Sequence, residues 1–427
     1  MIWFYRLLFL PAFLLAFPYY ALRMLRRGGY AKDFSHRFGG QKNLPPVPDG
    51  KHRVWIQAVS VGEIEALSTL VDKLSQDSGI ELVITTTTST AYKILREKYA
   101  PKCFYTGVFP IDFLPFSARA WRKIKPDVCV LMEGELWPEH LHQAKARGAK
   151  LLLLNARMSD KSFARYAKFP YIARRIFDKF SAICASSEFD AARFVRLGAS
   201  PLKVFCTGNM KFDSKPAQIL DSDGRRALRA ELGFAEDSLV LLGSSTWAGE
   251  EQMLLDALDK IRAKKIDCRL LLVPRHAERR AQIKQLLEHY PHWVRSESKQ
   301  APDGTLVYLA DTTGELRTLT QVADFAFVGK SLPPNVGGQT PIDCAALGVP
   351  IVYGPNMTNF RRACETLERD GAVVKVPDAQ SAVRELVRLS ENANLRQTLA
   401  EKAKAWHSSN VGATDRACDV ILKTLGL

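Results

Sequence analysis

"VWIQAVSVGEIEALSTLVDKLSQ", Val54–Gln76, passes from an apolar run through a short polar turn into helical spacing. The first part is continuously apolar, as expected of a parallel strand covered on both faces. Ser60, three residues before Glu63, has the spacing of a helix capping box. A Glu at the mouth of a strand–turn–helix unit is also where an α/β enzyme places a catalytic carboxylate. Glu63 therefore has two readings here, cap or base, and both stay open at this point.

The same alternation runs along the chain. "LVITTTT", "FYTGVF", "DVCVLME", "KLLLLNA", "AICASS" and "VFCTGN" read as further strands of a first series. Between them lie helical stretches such as "SEFDAARFVRLG", which Gly198 ends as a C-cap. Residues 211–224, "KFDSKPAQILDSDG", turn polar and Pro/Gly-bearing, as an interdomain linker does. A second series follows: "SLVLLGSS", "CRLLLVP", "TLVYLAD", "DFAFVGK", "VPIVYGP" and "AVVKVP". This predicts an α/β protein of two Rossmann-like domains, 28–215 and 225–427, facing a central cleft. Ligands of such sheets bind beyond the carboxyl ends of the strands, so the cleft is the expected site.

The amino terminus breaks the pattern. Residues 1–27, "MIWFYRLLFLPAFLLAFPYYALRMLRR", are apolar apart from Arg6 until Arg23. The run is near the lower limit for crossing a bilayer, and Pro11 and Pro18 interrupt it. It has the wrong charge order for a signal peptide, because Arg23, Arg26, Arg27, Lys32 and Arg37 follow the apolar part. Aromatic residues Trp3, Phe4, Tyr5, Tyr19 and Tyr20 mark its two ends, where an interfacial belt would place them. It reads as a membrane anchor or dipping segment whose basic flank keeps the body on the cytoplasmic side.

The formal charge of +15 across 427 residues points to anionic partners. An anionic membrane surface or a phosphorylated substrate fits better than nucleic acid, because no module interleaves the basic residues with aromatics. The eight cysteines are scattered singly, with no pair at metal-ligand spacing, so no zinc site is expected and a reducing compartment suits them.

Polar clusters sit just past the predicted strands. In the first half these are Ser60 and Glu63, the hydroxyls Thr85–Thr90, Glu133 and Glu135 of "LMEGELWPE", and Asn155, Arg157 and Ser159. Any one of them is explained by capping or solvation; their value lies in convergence on one crevice. In the second half "LLGSSTWAGEE" offers a small-residue turn before a helix, a place to hold a phosphate on backbone N–H groups. No G-x-G-x-x-G or Walker pattern supports ordinary dinucleotide or ATP binding. Arg275 and His276 of "VPRHAERR" follow another strand, where they can meet an anion, and Gly314, Glu315 and Leu316 of "DTTGELRTL" offer backbone amides. Gly337 and Gly338 permit a close backbone approach to a ligand, and Thr340 and Asp343 open the next helix, where an acid can bind ribose hydroxyls.

Taken together, "RFGG", "AVSVGE", "MEGELWP", "NARMSDKS", "TGNMKFD", "SSTWAGEE", "VPRHAERR", "TGELRTL" and the segment from Gly337 through "GPNMTNF" resemble the Kdo transferases of lipopolysaccharide synthesis. The resemblance covers essentially the whole chain. It implies a GT-B glycosyltransferase architecture, with an acceptor-binding first domain and a second domain binding CMP-Kdo. It implies inverting transfer of 3-deoxy-D-manno-octulosonic acid (Kdo) from CMP-Kdo to a lipid A precursor at the cytoplasmic face of the inner membrane. Glu63 then corresponds to the catalytic base, and Glu133 or Glu135 to a second required carboxylate. Ser60 would cap the helix alone, leaving Glu63 to face the cleft. Arg275, His276, the backbone at Gly314–Leu316, Gly338, Thr340, Asp343 and Asn359 correspond to substrate-binding positions, with Asp343 on the ribose. No metal or cofactor is expected, the donor being a substrate. The chain departs from the family at Trp247, where "STH" is common, and at Gln339, Thr340 and Asp343, where "GGHN" and a later Glu are common. The readings set against this one are a nucleotide-sugar epimerase of the same fold class and a membrane-tethered binding protein.

Overall fold

A computed structural model describes residues 2–27, 33–213 and 219–427, without the side chains of 19–27. The expected basic residues Arg23, Arg26, Arg27 and Lys32, the aromatics Tyr19 and Tyr20, and the middle of the expected linker lie outside that description. The chain divides into two compact units, 1–214 with 410–427, and 215–409.

The first unit is built on a parallel sheet of β1 (His52–Ala58), β2 (Ile80–Thr86), β3 (Tyr105–Val108), β4 (Val128–Met132), β5 (Lys150–Ala156), β6 (Ala182–Ala185) and β7 (Val204–Cys206). Their order is β3-β2-β1-β4-β5-β6-β7. Successive side chains go to opposite faces, and both faces are covered. Val54, Ile56, Val128 and Val130 enter one core, while Trp55, Cys129 and Leu131 enter the other. That explains why the apolar residues of these strands run on consecutively rather than at alternate positions. The chain runs outward in opposite directions from β1 and β4, so their carboxyl ends flank the topological switch point where doubly wound sheets bind ligands.

The second unit carries β8 (Leu239–Thr246), β9 (Cys268–Pro274), β10 (His292–Val294), β11 (Val307–Leu309), β12 (Phe325–Val328), β13 (Ile351–Tyr353) and β14 (Val374–Lys375), again all parallel. The order is β10-β11-β9-β8-β12-β13-β14, with β8 and β12 flanking its switch point. Sequence reasoning missed β10, an edge strand whose three residues, His292–Val294, make no apolar run.

One boundary needs correction. The second domain was expected to run to 427, but 410–427 belong to the first unit. The helix Ala413–Leu425 buries Ala413, Ala417 and Ile421 completely in the core beneath β1 and β4. Asp213, at the end of the first pass through this unit, accepts the N–H groups of Gly412, at 2.7 Å, and Thr414. An apolar stripe must be buried against something, and for this helix the partner is the core of the first unit, far upstream in the chain.

Over residues 2–18 the amino-terminal helix, Ile2–Arg27, packs on the first unit with one side only. Tyr5, Arg6, Phe9 and Phe13 are partly buried, whereas Trp3, Phe4, Leu7 and Leu15 are exposed, Leu15 by 84%. Among the described residues no helix is long and apolar enough to cross a membrane.

Candidate functional site

After β1 the chain reaches Ser60 in extended conformation, and the Ser60 hydroxyl accepts the Glu63 N–H at 3.4 Å, capping the helix Val61–Ala66. The Glu63 carboxylate, however, does not leave the cap. It accepts the Val59 N–H at 2.9 Å and the Ser60 O–H at 2.9 Å. The expected division, Ser60 as cap and Glu63 turned away, is therefore corrected: Glu63 reaches back one residue further than a capping box requires. It is only 7% exposed. Burial raises its pKa, helped by the Glu133 charge, while the bonds from Val59 and Ser60 and the Lys211 charge pull it down.

Glu133 follows β4 with a φ of 53°, left-handed for a residue with a side chain. Its backbone is tied to β5 at both groups, N–H to the Leu154 carbonyl at 2.9 Å and carbonyl to the Arg157 N–H at 3.1 Å. That geometry turns its carboxylate onto Lys211, 2.8 Å away, with Arg157 at 3.9 Å. Glu135 is partly buried and has a pKa raised to about 7, first by burial, then by the charges of Glu63 and Glu133. The structure thus groups Ser60, Glu63, Glu133 and Glu135 at the switch point, with the Lys211 ammonium on Glu133 and its charge felt at Glu63. Burial and the neighbouring carboxylates thus hold Glu63 and Glu135 above the ordinary carboxylate range, Glu135 at about 7.

Sequence reasoning missed Lys211 as a site residue; its only signal was membership of "TGNMKFD". Asn155 positions it. Held at φ 50° and 1% exposed, Asn155 accepts the Met210 N–H at 3.1 Å and so fixes the turn Met210–Asp213 that carries Lys211.

In the second unit the turn after β8 is locked by Glu250, whose buried carboxylate accepts the N–H groups of Trp247, Lys330, Ser331 and Leu332 at 2.8–3.3 Å. This joins the carboxyl ends of β8 and β12. Trp247, one of the positions where a different residue was expected, packs edge-on against His276 with ring centres 5.1 Å apart and lies under the Lys330 ammonium at 4.3 Å. Arg275 is exposed past the end of β9, and its guanidinium has no protein partner among the described residues. Its neighbour Arg279 is bound at both nitrogens by Glu251, at 2.7 and 3.1 Å. Of the two, Arg275 is the cation available to an anion.

Two of the remaining expected residues have protein partners where a ligand was expected. Gly337 and Gly338 have φ of 110° and 71°, but what approaches them is protein. A Cβ on Gly338 would lie 2.4 Å from the Met357 sulfur, and one on Gly337 would lie 2.7 Å from Asn359 Nδ2. The pair is required by the Met357–Asn359 loop, to which Gly337 also gives its carbonyl, 2.8 Å from the Asn359 N–H. Asp343, expected on a ribose, is bound to Arg317 at 2.8 Å, joining the helices Leu316–Thr320 and Ile342–Leu347. The Thr340 hydroxyl accepts the Ile342 N–H at 3.3 Å and keeps its own proton to donate. Gly314 takes a φ of 92° before the short helix that Glu315 and Leu316 open. The Glu315 carboxylate is gripped by Arg295 at 2.8 and 2.7 Å, which holds its pKa down at about 2. What Gly314–Leu316 can offer a ligand is backbone. Among the described residues no group of three or more His, Cys, Asp or Glu could hold a metal ion.

Residues 32–214 match the family described as "3-Deoxy-D-manno-octulosonic-acid transferase (kdotransferase)". A 3-deoxy-D-manno-octulosonic acid transferase of Haemophilus influenzae is 30% identical over 401 residues, 92% of this chain and 91% of its own. Among solved structures, a glycosyltransferase from Rickettsia africae superposes with a TM-score of 0.61 at 14% identity, covering 88% of this chain and 99% of its own. UDP-GlcNAc 2-epimerase from Neisseria meningitidis gives 0.61 at 15% identity, over 87% and 99%. These structural likenesses carry the fold alone: GT-B-like, with two parallel sheets.

Proposed function

The chain belongs to the 3-deoxy-D-manno-octulosonic acid transferase family, and on that premise we propose how it moves Kdo from CMP-Kdo to a lipid A precursor in lipopolysaccharide synthesis. The observation that carries the mechanism is the carboxylate cluster at the switch point of the first sheet. A sugar hydroxyl of the lipid attacks the anomeric carbon of Kdo, the bond to CMP breaks, and configuration inverts. Glu63 takes the hydroxyl proton. Its two hydrogen bonds fix the carboxylate while leaving each oxygen a free lone pair, and its raised pKa makes it a stronger base than an exposed Glu. Lys211 pairs with Glu133 beside it, and Glu135, with a pKa raised to about 7, is the neighbouring acid that can take up a proton.

The second unit receives the donor. Arg275 meets the phosphate of the leaving CMP, and the backbone at Gly314–Leu316, the Thr340 hydroxyl and His276 complete the nucleotide site. One phosphate leaves, and these groups stabilise its charge with no metal required. The exposed apolar side of the amino-terminal helix lies in the membrane interface, its other side being occupied by protein, which favours dipping over spanning. An anionic cytoplasmic leaflet suits the +15 charge and presents the acceptor.

The test is mass spectrometry of lipid products from purified enzyme, CMP-Kdo and a tetraacylated glucosamine disaccharide bisphosphate. Kdo adducts are expected from the wild type, and a rate roughly a hundredfold lower or less from Glu63→Gln. Transfer near the wild-type rate in Glu63→Gln removes Glu63 as base; no adduct from the wild type removes the reaction itself.

A further inference from the structure

Tyr5 and Arg6 belong to the apolar segment, yet they make its strongest contacts with the body, and both go to buried acids. Asp112, 4% exposed, accepts the N–H groups of Glu139 at 3.2 Å and His140 at 2.9 Å. It thereby holds the first turn of the helix Pro138–Ala146, which starts where the loop Glu133–Trp137 ends. Tyr5 donates its O–H to the same carboxylate at 2.6 Å. Arg6 grips Glu139, fully buried in that first turn, through two N–H groups at 2.8 and 2.9 Å. Phe9 stacks on Phe113, with ring centres 4.9 Å apart and planes 11° from parallel.

We propose that Tyr5 and Arg6 are positioning residues for transfer: they lock the Glu133–Trp137 loop, and with it the carboxylates of Glu133 and Glu135, to the membrane-facing helix. A tether needs only apolar surface, and polar side chains buried against acids add nothing to lipid affinity. What they do add is a fixed origin for the helix that ends the carboxylate loop. Both acids sit at its amino terminus, where backbone N–H groups are otherwise unpaired. A bidentate Arg–carboxylate pair fixes direction as well as distance. The apolar stripe of the same helix (Trp3, Phe4, Leu7, Leu15) is then the part that touches lipid, so the catalytic loop is registered to the surface that presents the acceptor.

The activity readout rests on the Kdo-transfer reading, whereas hydrogen exchange does not, which keeps the two failures apart. The full chain is assayed in detergent micelles with CMP-Kdo and detergent-dispersed acceptor, so that membrane recruitment no longer matters. Tyr5→Phe and Arg6→Met are expected to lower kcat roughly tenfold, with KM for both substrates within about twofold of wild type. Amide exchange at residues 133–140 is expected to quicken in both. Because Arg6→Met strands a buried carboxylate, Arg6→Met/Glu139→Met serves as the neutral comparison: it is expected to regain thermal stability while kcat stays low. Should Arg6→Met not fold, Tyr5→Phe, which removes one oxygen, decides. Wild-type kcat and exchange in Tyr5→Phe, or recovery of kcat in the double variant, overturns the proposal.

Discussion

Glu63 is pulled two ways, and burial prevails over its hydrogen bonds, so that its pKa rises. As the proposed base Glu63 must be ionised to work, so activity is expected to fall as pH drops through that raised pKa, nearer neutrality than for an exposed Glu. Glu133→Gln removes a negative neighbour and frees Lys211, and both effects favour ionised Glu63. The acidic limb of the kcat/KM profile is therefore expected to move to lower pH; a limb unmoved, or moved upward, means that Glu63 does not set it. Glu135 makes a separate prediction about stability. Its folded pKa of about 7 lies above the ordinary 4.5, so the folded protein resists its ionisation. The penalty is absent below 4.5, grows across that window and is complete above 7. Glu135→Gln should therefore stabilise the first unit by about 2 kcal/mol at pH 8.5 and leave it unchanged near pH 4, as read from urea unfolding at the two values. The sequence displayed these acids as polar residues after apolar runs. The backward reach of Glu63 was one of the two readings that its capping-box spacing left open; Lys211 was not displayed, because it meets Glu133 only where segments 78 residues apart are brought together.

At the scale of elements, legibility followed apolar runs. Strands that carry one were read from the sequence, even the short edge strands β7 and β14; β10, His292–Val294, carries none and was not. The helix Ala413–Leu425 was legible as a helix but not as a part of the first unit, since an apolar stripe does not name its partner. Ile421 is completely buried in the core that holds Val54 and Val130. Ile421→Ala is expected to cost the first unit about 3 kcal/mol, lowering its denaturant midpoint and leaving the transition of the second unit in place. A loss confined to the second unit would contradict the assignment of this helix.

For the whole molecule the consequence is that one unit is inserted in the chain of the other. Residues 219–409 contain both ends of their sheet and their own core, in which Leu254, Leu270, Phe327 and Leu386 are fully buried. Such a segment meets the requirements for independent folding. Residues 1–214 do not, because Ala413, Ala417 and Ile421 fill part of their core and the backbone N–H groups of Gly412 and Thr414 satisfy Asp213. Without that helix the core opens to water and Asp213 loses two donors, a combined loss on the scale of a domain's whole net stability, about 5–15 kcal/mol. A fragment of 219–409 is thus expected to unfold cooperatively on heating and to bind CMP in calorimetry. A fragment of 1–214 is expected to show no cooperative transition until a peptide spanning 410–427 is supplied, in trans or fused after a flexible linker. If 1–214 melts cooperatively by itself at the temperature of the first unit in the intact chain, the returning helix is an ornament on a finished core rather than part of it.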